Sequence, residues 1–273
     1  MDKITEVNNE QLSATAFSRQ SAVFDTIYAS NTIVSYKRER VRAHVNRYLP
    51  PNSHILELNA GTGDDALYFA SQAHHIHATD ISTGMLERLG NKVKNAGLET
   101  RISYEKCSFT ELHTLRSKGP YNLIFSNFAG LNCTDDLYYV LRSFKPLLTA
   151  GGLVTLVILP PFCLWETLLL FKGKFKTAFR RFNGKKGTAA HIEGTYFKCW
   201  YYRPSFIINA LKDDFELLSV EGLCSIVPPS YIEHFAEKHT RLYKTLTTLE
   251  NLHKNKWPWK NIGDYYIISL RKK

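Results

Sequence analysis

Between residues 54 and 159 short apolar runs alternate with amphipathic ones, and that rhythm leaves few folds open. Residues 54–58, 76–79, 102–104, 122–126 and 153–159 read as strands. Residues 64–72, 82–96, 110–115 and 134–148 read as the helices between them, with Ser82 as an N-cap and Gly97 just past a helix end. Strand–helix alternation of this length predicts a parallel sheet with helices on both faces. A helix over 34–49, stopped by Pro50-Pro51, precedes it. After Leu159 the rhythm breaks, and 160–200 read as an inserted cap. It resumes with a helix at 204–212, a strand at 215–221, a helix at 231–252 and a last strand at 265–270.

The stretch 153–171 is apolar and about long enough to span a bilayer. Pro160-Pro161 splits it and Glu166 charges its second half, so a buried strand followed by a turn and an amphipathic helix fits better. The first twenty residues lack the apolar run of a signal peptide. Five cysteines, widely spaced and without a C-x-x-C pair, argue against a disulfide framework or structural zinc. The expected compartment is the cytoplasm.

The net charge of +10 is unevenly placed. Residues 1–150 hold 16 basic and 15 acidic side chains, whereas 151–273 hold 19 and 10. Seven basic residues and no acidic one fall in 172–186, where Phe175, Phe179 and Phe182 recur at helical spacing.

The stretch 54–70, HILELNAGTGDDALYFA, carries the chemistry. A strand ending near Glu57 runs into a small-residue loop (Asn59, Ala60, Gly61, Thr62, Gly63) and then a helix start. The glycines let the backbone turn sharply and approach a ligand, while a helix N-terminus offers free N–H groups. Asp80 follows about twenty residues on, at the end of the next strand, where an acid can hold two ribose hydroxyls. Loop and acid together indicate a nucleoside-containing cofactor. The spacing is E-x-N-x-G-x-G rather than G-x-G-x-x-G, and Asp64-Asp65 at the helix start would repel a pyrophosphate. A cationic, zwitterionic ligand without phosphate suits these charges better, which favours S-adenosylmethionine over NAD.

Glu57–Gly63, Asp80 and the strand NLIFSNF resemble the class I S-adenosylmethionine-dependent methyltransferases, including their ubiquinone/menaquinone methyltransferase-like small-molecule group. The resemblance covers residues 34–160. It implies a Rossmann-like, seven-stranded, mostly parallel sheet with an antiparallel last strand and a cap inserted after the fifth strand. The segments would be an N-terminal helical part closing the cofactor site (1–50), a cofactor-binding half (51–159), the cap (160–203) and a completion of the same domain (204–273). Glu57, Gly61 and Gly63 would shape the methionine side, Asp80 would bind the ribose, and Ile81 and Met85 would lie against the adenine. Ser108 and Phe109 take the place near the adenine edge, and Cys107-Ser108 stand where the family often has an acid. Asn59 stands where the family has its first glycine, and Asn tolerates left-handed backbone. Tyr28 and Tyr36 resemble the N-terminal aromatics that close over the cofactor.

The acceptor side is expected from the end of the fourth strand (Ser126, Asn127, Phe128), the N-terminal helix and the cap. Asn127 either orients an acceptor or caps its loop. His191, with Glu193, is the best-placed general base. No metal is expected: His75 and His77 share a strand face opposite His74, with no cluster of ligand spacing around them. For 162–186 the readings, in order, are a solvated lid, an interfacial segment on an anionic membrane, and an RNA-binding patch. The sequence thus points to methyl transfer at O or N of a small, apolar or aromatic acceptor such as a natural product, quinone or lipid-like molecule. The rivals are a nicotinamide-dependent oxidoreductase and a non-catalytic membrane-associated binding protein, with an RNA methyltransferase behind them.

Overall fold

The computed structural model describes residues 9–273, apart from Glu233 and the side chains of residues 183–185. The first eight residues of the N-terminal segment and Lys185 of the basic run lie outside the described residues. Strands β1 (His54–Leu58), β2 (His75–Asp80), β3 (Ile102–Lys106), β4 (Tyr121–Ser126) and β5 (Leu148–Ile158) pair in parallel in the order β3-β2-β1-β4-β5. A hairpin, β6 (Thr188–Ile192) and β7 (Thr195–Cys199), stands apart. β8 (Phe215–Leu223) takes the far edge of the main sheet, and β9 (Tyr265–Lys272) slots antiparallel between β5 and β8. The seven-stranded, mostly parallel sheet and its antiparallel last strand are as expected.

Two apolar layers hold the sheet. On one face Leu56, Ile124, Leu156 and Ile268 meet Val140, Leu141 and Leu211 of α5 (Leu137–Arg142) and α8 (Pro204–Leu211). On the other, Ile55, Phe125, Val157 and Ile267 share a core with side chains of three helices. These are Val41 and Val45 of α2 (Thr32–Asn46), Phe69 of α3 (Asp64–Ser71) and Leu89 of α4 (Thr83–Asn95). The central strands β1, β2, β4, β5 and β9 are buried on both sides over most of their length, hence the apolar runs read from sequence, whereas the edge strands β3 and β8 are partly exposed.

The expected helix at 134–148 is shorter. Pro146 disfavours α geometry at Lys145, so α5 ends at Arg142, a 3-10 turn spans Lys145–Leu147, and β5 begins at Leu148. Residues 231–252 form two helices, α9 (Phe235–Lys238) and α10 (Thr240–His253). Among the described residues no helix is long and apolar enough to cross a membrane.

α2 is anchored from below by buried charge. Glu250 accepts from the backbone N–H groups of Cys224, Ile226 and Val227, and from Tyr36 Oη at 3.1 Å. Arg40 bridges Glu250 and Glu221. Tyr36 is therefore part of this core network and does not close over a cofactor. Removing one partner of such a buried pair typically costs about 3–5 kcal/mol, because the other charge is stranded.

α1 (Asn9–Ala29) has no broad apolar stripe; its buried side chains are mostly small, Ser13, Ala14, Ala16 and Ser21. That smallness allows close docking on α4, where a Cβ on Gly84 would come within 2.7 Å of Ser21 Oγ and 2.9 Å of the Ser18 carbonyl. The two helices are joined by Ser18 Oγ and Ser82 Oγ, 2.7 Å apart. α1 thereby lies across the carboxyl ends of the parallel strands.

Candidate active site

A half-open cavity opens at the carboxyl ends of β1 and β4, where the strand order reverses. Open α/β sheets take their ligands at this switch point. One wall is the loop after β1, in which Asn59 (φ 48°), Gly61 (φ 58°) and Gly63 (φ 84°) all adopt left-handed backbone. Gly63 is required twice over, since a Cβ would also come within 2.7 Å of Leu89 Cγ. Asn59 fits the left-handed region and adds a tie that glycine lacks. Its Nδ2 donates to the Asn127 carbonyl at 3.0 Å, and its Oδ1 accepts from Ser126 Oγ at 2.7 Å. Gly130 packs against this amide so closely that a Cβ would overlap it. Gly130→Ala should displace Asn59 and forfeit two hydrogen bonds of about 1 kcal/mol each. Thermal denaturation should then show Tm lower by about 4–8 °C.

Glu57, at the end of β1, is buried, and among the described residues its Oε2 has no hydrogen-bond partner. Burial, and then the Asp65 carboxylate, push the Glu57 carboxyl well above the usual range against the pull of Arg38 and Arg42. Asp80, at the end of β2, accepts from Gly61 N–H at 2.9 Å through Oδ2 and from Ser82 N–H at 2.8 Å through Oδ1. Burial raises its pKa and those backbone donors hold it back. Each oxygen keeps a lone pair for a further donor. Ile81, Met85, Cys107 and Phe109 form an apolar shelf beside Asp80.

The opposite side is held by an ion network. Arg38 reaches Asp64 at 3.2 Å and Asp65 at 3.7 Å, and its guanidinium lies 5.2 Å from the Phe128 ring centre. Arg42 Nε donates to Asp65 at 2.7 Å, and Lys92 Nζ lies 2.6 Å from Asp64. Although burial opposes it, the Lys92 hydrogen bond together with the nearby cations holds the Asp64 carboxyl below its ordinary value. The pair Asp64-Asp65 is therefore not the bare negative patch expected from sequence. Lys92 also reaches Asp25 of α1 at 2.8 Å, and Thr62 Oγ1 donates to Asp25 at 2.6 Å, so the loop and α1 are tied together. Ser13, Phe17 and Phe24 of α1 complete the enclosure.

The cavity lining brings together Glu57, Asn59, Gly61, Asp80, Ile81, Met85, Phe109 and Asn127. Gly63 shapes the loop behind it. Ser126 is fully buried beneath Asn59 and does not reach the cavity. Ser108 lies just outside, its hydroxyl donating to Glu10 of α1 and meeting Thr110. That carboxylate stands beside the Cys107-Ser108 step that lacks its own acid. Tyr28 is one turn past the lining: it packs edge-on against Phe24 at 4.8 Å, and Phe24 takes the place expected for it. Asn127 spends its side chain on the loop, Nδ2 donating to Asp65 at 2.7 Å and Oδ1 accepting from Phe128 N–H.

His191 is not in the cavity. β6 alternation puts it on the exposed side of the hairpin, its ring 4.4 Å from that of Tyr196. Glu193 and Gly194, both at positive φ, are the two-residue turn between β6 and β7, a type I′ signature in a position the cap reading left unstructured. No described cap residue lines this cavity. The cap touches it indirectly, Phe197 packing on Phe17 at 5.8 Å and Asn9 donating to the carbonyls of Cys133 and Lys198. Sequence reasoning also missed Ser13, Phe17, Phe24 and Arg38, which carry no motif and act only through the placement of α1 and α2.

One further cluster, Cys163, Glu166 and Asp264, has side-chain oxygens and sulfur within 4.8 Å of one another. Its cation is built in: Arg181 bridges Glu166 and Asp264. Burial above all pushes the Cys163 thiol up to about 12, so it remains protonated.

Residues 55–152 match the methyltransferase domain family. The region that carries the glycine loop and Asp80 is thus a methyltransferase domain, set in the strand order of the class I S-adenosylmethionine-dependent fold. No curated protein matches it in sequence. Solved structures of this methyltransferase fold superpose at low identity. A Listeria monocytogenes protein assigned to the S-adenosylmethionine-dependent methyltransferases has a TM-score of 0.62 at 15% identity, covering 87% of this chain and 98% of that one. The phosphoethanolamine N-methyltransferase 2 of Haemonchus contortus, in complex with phosphomonomethylethanolamine and S-adenosylhomocysteine, has a TM-score of 0.62 at 17% identity, covering 98% and 61%. The 1,6-didemethyltoxoflavin N1-methyltransferase of Burkholderia thailandensis, bound to its substrate and S-adenosylhomocysteine, has a TM-score of 0.57 at 13% identity, covering 100% and 93%. The ubiquinone-like subgroup gains no support from these likenesses.

Proposed function

We propose that this methyltransferase moves the methyl group of S-adenosylmethionine to an oxygen or nitrogen of a small, apolar or aromatic acceptor, and that it works in the cytoplasm. The observation that carries this reading is the composition of one cavity: a buried carboxylate with an unpartnered oxygen, an arginine, an aspartate at ribose spacing and an apolar shelf. These are the complements of an ammonium, a carboxylate, two hydroxyls and a purine. Glu57 would hold the ammonium, Arg38 the carboxylate, Asp80 the ribose and Ile81, Met85 and Phe109 the adenine. A nicotinamide dinucleotide fits less well, since its usual sheet repeats two βαβαβ halves in the order 3-2-1-4-5-6, whereas β9 here runs antiparallel between β5 and β8. Bound S-adenosylmethionine supplies a methyl group on a positively charged sulfur.

The chain's own contribution is alignment, which can supply several kcal/mol of the barrier without any covalent chemistry. Phe24 and Phe128 give the remaining cavity wall an aromatic character suited to an apolar or aromatic acceptor. Its described lining holds no histidine, and Asn127 is committed to its loop. An acceptor whose nucleophilic form is already populated near neutral pH, such as an acidic phenol, a carboxylate or a weakly basic amine, needs no base from this lining. The Burkholderia and Haemonchus proteins, both N-methyltransferases of small molecules, agree with a small acceptor.

The test is incubation of the protein with methyl-labelled S-adenosylmethionine and a panel of phenols, quinols, carboxylates and amines. Label in one acceptor class, lost in Glu57→Gln, supports the reading. Tight cofactor binding with no transfer to any class would leave the non-catalytic binding protein in its place.

A further inference from the structure

The cap separates its positive charges by chemistry. Arg180 and Arg181 are tied back to the fold: both donate to Glu166, and Arg181, 2% exposed, also holds Asp264 and the Pro160 carbonyl. These contacts seat the segment on the core through charge-assisted hydrogen bonds. Lys172, Lys174, Lys176 and Lys186 turn outward and are exposed. No acidic residue occurs between Glu166 and Glu193 to balance them.

Among those lysines stand phenylalanines that the fold leaves more than half exposed, Phe182 resting one edge on Phe162. Phe171 is 88% exposed, Phe175 61%, Phe179 52% and Phe182 57%. Phe179 and Phe182 touch each other, ring centres 5.9 Å apart, so the patch has continuity. Residues 175–179 form the short helix α7, which presents Ala178 to the core and leaves its two phenylalanines outside. A large apolar patch rimmed by charge marks a surface that something else covers.

We propose that this face, Leu168 to Lys186, docks the protein on an anionic lipid bilayer, with Phe171, Phe175, Phe179 and Phe182 entering the headgroup region and the lysines on lipid phosphates. The argument for lipid is charge complementarity. A second copy of the same patch would bring like charges together, whereas an anionic surface satisfies the lysines and its acyl boundary takes the rings. Among the described residues the cofactor cavity has no lining side chain in this segment, so docking and cofactor binding stand or fall separately.

The test uses the full chain with phosphatidylcholine vesicles, with and without phosphatidylglycerol, at low and high salt. Co-sedimentation is expected only on the anionic vesicles and should fall as salt rises. A Lys172→Gln/Lys174→Gln/Lys176→Gln variant should lose about fivefold in partitioning per lysine, on the order of 100-fold together. Phe171→Ser/Phe175→Ser should lose binding as well. Both variants should keep the parent affinity for S-adenosylhomocysteine, which shows that they fold. Equal binding to neutral and anionic vesicles, or none to either, overturns the proposal. So does a concentration-dependent dimer abolished by Phe171→Ser/Phe175→Ser, or binding to single-stranded RNA in preference to vesicles.

Discussion

Replacing Asp80 with alanine is expected to weaken binding of S-adenosylhomocysteine by about 100-fold. The figure follows from two hydrogen bonds to a charged acceptor at about 1.5 kcal/mol each, with 1.4 kcal/mol per tenfold in affinity. Asp80 also holds the N–H groups of Gly61 and Ser82, so part of the loss comes from a loosened glycine loop. Asp80→Asn keeps the size of the side chain and one acceptor oxygen. It should fall between the parent and the alanine variant. Calorimetric titration of the three proteins, with a thermal melt of each, separates the ribose contact from loop damage. An Asp80→Ala protein with parent affinity would place the ribose elsewhere.

Glu57 gives the second large effect, and its sign is fixed by burial. Desolvation, and then Asp65, favour the neutral acid in the free protein. An ammonium placed against Oε2 favours the carboxylate, so binding should release a proton. Affinity should therefore rise with pH up to the free protein's Glu57 pKa and level off above it. The same raised pKa also means that ionising Glu57 in the free protein costs stability, which falls as pH rises through it, so cofactor should protect most at higher pH. Glu57→Gln should lose at least tenfold in affinity, since a charge-assisted hydrogen bond is worth about 1.5–3 kcal/mol. It should also lose the proton release, read as the dependence of binding heat on the buffer's ionisation enthalpy.

The parallel sheet was legible because its central strands are buried on both faces and so read as apolar runs between helix signals. The glycine loop and Asp80 were legible because close backbone approach and ribose binding each demand particular residues at particular spacing. An N-terminal helical segment was expected only through the resemblance, and the docking of α1 left no pattern, because its buried face is mostly Ser and Ala side chains without an apolar stripe. Ser13, Phe17 and Phe24 of the cavity therefore carried no signal. Asp64-Asp65 misled in a related way: the carboxylates are visible in sequence, but Arg38 and Arg42 come to them from another helix. His191 failed on local geometry, since a two-residue turn at Glu193-Gly194 makes a hairpin and puts the ring outside. The basic run was read as one feature and is two, arginines that seat the cap and lysines that leave it.

The account rests on the cavity between β1 and β4 being an S-adenosylmethionine site, and a side-by-side titration with S-adenosylhomocysteine and NADH tests that most directly. Micromolar binding of S-adenosylhomocysteine at one site per chain, with no heat from NADH, is the predicted result. Tight NADH binding without any for S-adenosylhomocysteine would contradict it.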